Sequence, residues 1–430
     1  MHILWVSPHC WPDYVLRSPG LGTKSQGGQS VIMYKCPLEL TELYSHLYID
    51  VYSRFETGEK KVVNLGERYR LIRCSCGNPN IYIPKEKFWY GPISEFVDNI
   101  DKYARQNKLK YDLIHGHYAD GFYVARELAR RWSVPYCLTP HSLGKRKKSN
   151  CCDMKEGSAG ELENKYSFSI RIKEELEALK NAYYIFPNSN SEAEYIIQNY
   201  TGTTQDQIRV VPNGIHLSDF YPRDEVKITR MKKAFGIDKD DLIILHVGRF
   251  DIRKGQKELL EVALNVIKIF NKQNKKKAKF IFVGWDESEF SIKLKSKIQN
   301  SENYNSIIFV PAVPHRDIQQ FYWIASVFVH ASTYDIFPIT VLEAMANRLA
   351  VLISRNCGTS EIITDGIEGL LINPFNLNDI LLSLVKVLNN KKLREQLGIK
   401  AYLKISEHYT WRYVAKLLYQ HYNEIIFGKQ

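Results

Sequence analysis

Leu242-Ile243-Ile244-Leu245-His246-Val247-Gly248-Arg249-Phe250-Asp251-Ile252-Arg253-Lys254-Gly255 is an apolar run followed by a polar turn bounded by glycines. A helical pattern then runs from about Gln256 to Phe270. A short, nearly continuous apolar run suits a strand buried on both faces, the condition of a parallel sheet. Downstream the same unit recurs. Strands are predicted at Phe280–Gly284, Ile307–Pro311, Val327–His330 and Ala350–Ser354, with His315-Arg316-Asp317 opening a helix through Ala325. Upstream, Ile3–Ser7, Tyr48–Ser53, Leu113–His115, Tyr136–Thr139 and Tyr184–Pro187 read as strands. Helical patterns separate them at Ser30–Leu43, Ile93–Arg105 and Phe168–Leu179, and Asn188-Ser189-Asn190-Ser191 caps a further one. Strands alternating with helices predict an α/β protein with parallel sheets.

A chain of 430 residues is long enough for two such domains, each with its own core. Arg209–His216 is expected to bring a strand to a Pro/Gly turn, where the first domain ends, with Ser218–Lys233 as linker. Gly366–Pro374 reads as a turn and strand, and two helices finish the chain, the last starting at Thr410-Trp411. The expected division is 1–214, 215–408 and a final helical segment 409–430 returning to the first domain.

Hydrophobic residues make up 44% and charged residues 25%, ordinary for a globular protein. No stretch approaches the length of apolar sequence a membrane helix needs, and Met1–Pro8 reads as a strand rather than a signal peptide. The eight cysteines form no Cys-x-x-Cys, so reduced thiols in the cytoplasm are expected. A net charge of +12 points to anionic partners: phosphorylated metabolites, a nucleotide or an anionic membrane surface, to which a weak association is compatible. Nucleic acid is not expected, for want of zinc-finger spacing, an RNP-like aromatic motif or a basic heptad region.

In open α/β sheets ligands bind beyond the carboxyl ends of the strands. In the first half such ends carry Gly27-Gly28-Gln29, Arg54, Asp120 and His141, and the basic run Lys145–Lys148 follows. A plain turn and a solvated charge run are the alternatives. His115-Gly116-His117-x-x-Asp120 could form a metal site, but loop hydrogen bonds explain it as well, and no metal is expected. In the second half the strand ends carry Gly248, Arg249, Lys254 and the stretch Ser332-Thr-Tyr-Asp335-Ile-Phe337-Pro338-Ile339-Thr340-Val-Leu-Glu343. Pro338 suits a first helical position, leaving the Ile339 and Thr340 N–H groups open to an anion. An ordinary capped core helix would look the same. Two cations beside that helix start make a diphosphate site, and a carboxylate such as Glu343 suits ribose hydroxyls. A dinucleotide dehydrogenase would need Gly-x-Gly-x-x-Gly after a strand, which is missing.

The second half resembles the retaining glycosyltransferases that include sucrose-phosphate synthase, sucrose synthase and glycogen synthase. The matching pieces are Gly248-Arg249-x4-Lys254, Asp335-x7-Glu343, Val211-Pro212-Asn213-Gly214, Gly358-Thr359-Ser360-Glu361-Ile362-Ile363 and Gly369–Pro374. The first half is most similar to sucrose-phosphate synthases at Gly27-Gly28-Gln29, Pro84–Trp89, His115–Asp120 and His141-Ser142-Leu143-Gly144. The resemblance implies the GT-B architecture: two facing Rossmann-like, doubly wound domains with a deep cleft. It implies transfer of a hexose from a UDP-, ADP- or GDP-hexose to a sugar or sugar phosphate, with retention and without cofactor. By the same resemblance His141, Arg249, Lys254, Asp335 and Glu343 form the catalytic set. Gly248, Phe337, Ile339 and Thr340 bind the donor; Gly27, Gly28, Gln29, Lys85, Lys147 and Arg171 bind the acceptor. Three positions depart from the family: Asp335 replaces glutamate, Pro338 replaces glycine, and Ser25 stands where sucrose synthases have aspartate. The alternatives are a hexosyltransferase acting on a lipid or polysaccharide at a membrane surface, and an inactive nucleotide-sugar-binding protein.

Overall fold

The structure, a computed structural model, describes residues 1–16, 27–153, 157–220, 222–273, 277–299 and 301–428. Gly20, Gly22, Ser25 and Gln26 lie outside the described residues. The chain forms two compact units: Met1–Asp13 with Gln29–Pro212 and Val414–Gln430, and Tyr14–Gly28 with Asn213–Tyr413.

The sheet of the first unit is built from β1 (His2–Val6), β2 (Tyr48–Arg54), β3 (Val62–Asn64), β4 (Tyr69–Cys74), β5 (Leu113–His117), β6 (Tyr136–Thr139) and β7 (Tyr184–Ile185). Its order is β3-β4-β2-β1-β5-β6-β7, parallel except for the edge strand β3. The sheet of the second unit holds β8 (Leu242–Val247), β9 (Ala278–Trp285), β10 (Ile307–Pro311), β11 (Val327–His330), β12 (Ala350–Ser354) and β13 (Leu370–Ile372), in the order β10-β9-β8-β11-β12-β13. With β3 set aside, each sheet grows two strands outward on one side of its first strand. The chain then crosses back and adds three on the other. This is the doubly wound Rossmann order, and the crossing point is where such sheets open to ligands. Those points fall between β1 and β5, and between β8 and β11.

The central strands are buried throughout, β8 along its full length, as parallel strands covered by helices must be. In the second unit Leu259, Ala263, Val266 and Phe270 of helix Gln256–Gln273 pack with Ile380, Leu384 and Val387 of helix Leu377–Asn389 over Ile244, Phe280 and Val329. In the first unit Ile93, Phe96 and Ile100 of helix Pro92–Gln106 meet Phe122, Ala125 and Leu128 of helix Tyr118–Trp132 over Leu4, Ile72 and Ile114. That second helix lies unusually close to the sheet. A Cβ on Gly121 would stand 2.5 Å from Val6 O, and one on Gly116 would stand 2.7 Å from Gly121 O.

Several expectations need correction. β3 and β4 were not expected, and β5 extends to His117, so both histidines of the His-x-His sit on a strand. The basic run Lys145–Lys148 forms the first part of a helix that was not expected, Gly144–Asp153, and a further helix follows at Ala159–Tyr166. Arg209–His216 is no strand; the chain there is extended and makes single bridges, Ile208 to Ile185 and Ile215 to Thr410. The expected linker is largely helix Glu225–Ala234, capped by Asp224, whose side chain accepts from Lys227 N–H. Three helices, not two, end the chain: Leu377–Asn389, Lys391–His408 and Trp411–Phe427. Asn390 caps the middle one, its side chain accepting from Leu393 N–H, and so splits what looks continuous in sequence. From Val414 onward the last helix belongs to the first unit, where Tyr422 OH lies 2.6 Å from His115 Nδ1 and Tyr184 OH donates to Glu424 at 3.0 Å. Among the described residues no helix is long and apolar enough to cross a membrane.

Candidate active site

In the second unit the loops leaving β8 and β11 touch backbone to backbone. Gly255 has φ +73, and a Cβ there would stand 2.0 Å from Ala331 O. Only glycine takes that backbone and that space together. The close approach brings Lys254 to Asp335: the ammonium donates to Oδ2, and His330 Nε2 lies 3.1 Å from the same oxygen. Burial alone would raise the Asp335 carboxyl. Lys254 and His330 outweigh it and hold the group well below the usual carboxylate range. Behind them His246 Nδ1 donates to Val329 O at 3.0 Å, and the His246 and His330 rings are stacked at 6.0 Å. Burial, with His330 adjacent, pushes His246 down to about 3.

Helix Ile339–Ala346 follows that loop. Pro338 is its N-cap, with φ −64 and ψ 122, one position earlier than expected. Its carbonyl accepts from Val341 N–H at 3.2 Å. Ile339 and Thr340 are thus the first helical residues, where N–H groups point outward along the positive end of the helix dipole. Phe337, just before, is buried, and its carbonyl accepts from Asn213 Nδ2 at 2.8 Å. Glu343 is 3% exposed and held on both oxygens: His315 Nε2 lies 2.9 Å from Oε1, and Tyr322 OH donates to Oε2 at 2.6 Å. The carboxylate is therefore fixed in orientation before any ligand arrives. Tyr322→Phe removes one of its two supports, a bond worth about 1–2 kcal/mol. The expected result is a three- to tenfold rise in KM for the nucleotide sugar, about 1 kcal/mol, with kcat little changed.

Gly248 N–H bonds Val283 O at 3.0 Å, fixing the start of the β8 exit loop. Arg249 is exposed, its carbonyl held by Gln256 Nε2 at 2.8 Å. Its guanidinium adds to the lowering of Asp286, where burial opposes ionisation and Ser288 and Ser291 do most to favour it. The field of Arg249 thus reaches the loop after β9, whereas Lys254 lies against Asp335. The structure brings Lys254 and Asp335 together; helix Ile339–Ala346 begins four residues after Asp335, and Arg249 is exposed on the β8 exit loop. Gly27 and Gly28 cluster with this unit, and a Cβ on Gly28 would stand 3.7 Å from Ile339 Cδ1.

In the first unit Gln29 Nε2 donates to Ser7 Oγ at 2.9 Å. His141 has φ 54, a left-handed backbone uncommon outside glycine, within a tight turn closed by Ser142 N–H on Pro140 O at 2.6 Å. Its Nε2 lies 2.9 Å from His117 Nδ1. Lys85 lies over the Tyr118 ring at 4.7 Å, and Lys147 over the Tyr166 ring at 3.9 Å. Arg171 is different in kind. It is 3% exposed, donating to Glu175 Oε1 at 2.8 Å, Tyr118 OH at 2.9 Å and Ser142 O at 2.8 Å. Glu175 also accepts from Gly144 N–H at 2.8 Å and Tyr200 OH at 2.6 Å. Through these contacts Arg171 braces the 141–144 turn. Asp120 pairs with His9, and His115 lies 2.8 Å from Thr139 Oγ1, so these members of the His-x-His-x-x-Asp pattern have protein partners. Among the described residues no group of three or more such side chains could hold a metal ion.

His246, His330, Tyr322, His315, His117 and Glu175 carry the support of these residues; of them the sequence marked only His117, within the His-x-His-x-x-Asp pattern, and gave it no part in supporting His141. His330 ends a strand five residues before Asp335 and could have been found from that position. The others depend on strand register or helix packing.

Residues 227–404 match the family described as Glycosyl transferases group 1, and residues 66–219 match Glycosyltransferase Family 4. A mannosylfructose-phosphate synthase of Agrobacterium fabrum is 25% identical over 422 residues, spanning 97% of this chain and 90% of that protein. A probable sucrose-phosphate synthase of Thermosipho melanesiensis is 29% identical over 370 residues, 81% of this chain and 78% of its own. Among solved structures, the sucrose-phosphate synthase of Thermosynechococcus elongatus matches 100% of both chains with a TM-score of 0.83 and 23% identity, which shows a shared fold. The chain belongs to the GT-B glycosyltransferases, with a family 4 domain followed by a group 1 domain.

Proposed function

We propose that this glycosyltransferase moves a hexose from a nucleotide sugar to a phosphorylated sugar with retention of anomeric configuration. The observation that carries the donor half is Lys254, drawn to Asp335 at the β8/β11 switch point on the loop that leads into helix Ile339–Ala346. An ammonium and outward N–H groups suit the diphosphate that departs, and Arg249 adds a second cation from the β8 exit loop. These charges can do the work of a divalent ion, so no metal or other cofactor is invoked. Glu343, held by His315 and Tyr322, would take the ribose hydroxyls. The acceptor half falls to Lys85 and Lys147, with His141 beside the transferred hexose.

Two features support a phosphorylated acceptor. The relatives described above are named for phosphorylated disaccharides, and both align over four-fifths or more of this chain. The first unit also presents two basic side chains after strands, Lys85 in the connection that follows β4 and Lys147 on the helix that follows β6, which suit a phosphate. Asp335 is already engaged by Lys254 and His330 and is a poor covalent nucleophile in that state, so retention would proceed without a covalent glycosyl–enzyme intermediate. The departing diphosphate would instead accept the acceptor's proton on the same face, leaving the protein to position and to stabilise charge. All eight cysteines are free thiols, which fits the reducing cytoplasm.

The test is release of nucleoside diphosphate from UDP-, ADP- and GDP-hexoses, with and without fructose 6-phosphate, in the presence of a chelator. Release from at least one donor, dependent on the phosphorylated acceptor and giving a product of unchanged anomeric configuration, is the expected result. No release with any pair, or release with unphosphorylated fructose alone, removes the sugar-phosphate reading.

A further inference from the structure

The hydrogen bond between His117 and His141 has a consequence for which proton His141 can offer. Register sets the pair up: His117, the last residue of β5, lies opposite Thr139 of β6, and His141 follows two residues later in the turn. Nδ1 of one ring and Nε2 of the other are 2.9 Å apart, and the rings lie nearly parallel at 22°. Trp5 packs on His117 at 4.3 Å and His115 at 4.0 Å, so that ring is walled in.

A neutral imidazole carries a single N–H, so one ring must donate and the other accept. The other nitrogen of His117, Nε2, is buried and has no hydrogen-bond partner among the described residues. If His141 were the donor, the His117 proton would sit on that Nε2 as an orphaned buried N–H, the rarer and costlier arrangement. If His117 is the donor, only a lone pair is left there. We propose that His117 is a positioning residue for hexose transfer: its Nδ1–H holds His141 Nε2 and fixes His141 as the tautomer whose Nδ1–H faces the substrate. This rests on the reading above that puts His141 beside the hexose.

Both rings are neutral at working pH. Burial lowers His117 well below the ordinary histidine range, with His115 and His141 adding to the effect, and burial lowers His141 to about 3. His141 then offers a hydrogen-bond donor, suited to a hexose hydroxyl, and cannot serve as a general base through Nδ1. That agrees with a transfer in which the departing diphosphate takes the acceptor's proton. The left-handed backbone at His141 and the Arg171 bond to Ser142 O fix the turn, while His117 fixes the ring.

The test has an arm that needs no turnover. Long-range proton–nitrogen correlation spectra of the full chain labelled in histidine should show His141 protonated on Nδ1, its signals being those lost in His141→Asn. Protonation on Nε2 overturns the proposal whatever the enzyme does. In the kinetic arm, His117→Phe is expected to lower kcat about 30-fold while both KM values stay within about twofold, in the range for a lost positioned hydrogen bond. His117→Asn, whose amide N–H can stand where the imidazole Nδ1–H stood, should recover kcat to within about threefold of wild type. Wild-type kcat in His117→Phe, or equal losses in the two variants, overturns it. Wild-type protein that releases no nucleoside diphosphate defeats the hexose-transfer reading instead, and the spectra still decide the tautomer.

Discussion

Lys254→Met is expected to cut nucleoside diphosphate release by about 10²–10³-fold, the scale seen when a preorganised group facing a developing charge is removed. Its effect should fall on kcat more than on KM, because charge on the diphosphate grows as the bond to the sugar breaks. The same side chain has a second part in the empty enzyme. Lys254 holds Asp335, so the variant leaves a largely buried carboxylate with His330 alone. Loss of that charge-assisted bond is expected to cost about 1–3 kcal/mol at neutral pH. Asp335 has its carboxyl depressed in the folded state, so its contribution is present above the unfolded value of about 4 and is lost as pH falls through the folded one. The gap in urea midpoint between wild type and Lys254→Met should therefore be full at pH 7 and shrink in acid. Turnover close to wild type would dismiss the diphosphate role. A gap that persists unchanged at low pH would show that Lys254 stabilises by something other than its bond to Asp335.

The Lys254–Asp335 pair also shows how far the sequence could be read. β8, β11 and β12 are apolar runs buried along their full length, so composition alone marks their ends, and the loops that carry Arg249, Lys254 and Asp335 follow directly. β4 is different. Tyr69-Arg70-Leu71-Ile72-Arg73-Cys74 looks too charged for an inner strand, yet Arg70 pairs with Asp50 on β2 at 2.7 Å and Arg73 with Asp13 at 2.6 Å. A charge whose partner lies 20 or 60 residues away gives no local signal. The helix at Gly144–Asp153 is hidden for a related reason. Lys145, Arg146 and Lys147 each lie over a tyrosine ring, of Tyr200, Tyr195 and Tyr166, so a run that looks like a solvated loop is packed along its aliphatic stems. At the site, motif spacing could name the residues that would meet a ligand. It could not name Tyr322 or Glu175, nor pair His117 with His141, because those partners are set by sheet register and by which helix faces which.

Arg171 is where the two kinds of reading diverge most. Resemblance puts it on the acceptor phosphate, whereas its contacts put it under the turn that carries His141. Arg171→Met should separate them. A buried ion pair broken on one side costs about 3–5 kcal/mol, because the remaining charge is left without compensation. Glu175 keeps Gly144 N–H and Tyr200 OH, which places the expectation at the lower end, near 3 kcal/mol. Urea unfolding should show that loss, with activity falling as the 141–144 turn loosens. Lys85→Ala and Lys147→Ala should behave in the opposite way. Each is expected to raise the acceptor KM about tenfold, the value of one charge-assisted contact, while stability stays within about 0.5 kcal/mol of wild type. If Arg171→Met kept its stability and raised only the acceptor KM, the guanidinium would have to leave Glu175 to meet the phosphate. The brace would then be a resting arrangement that the acceptor displaces.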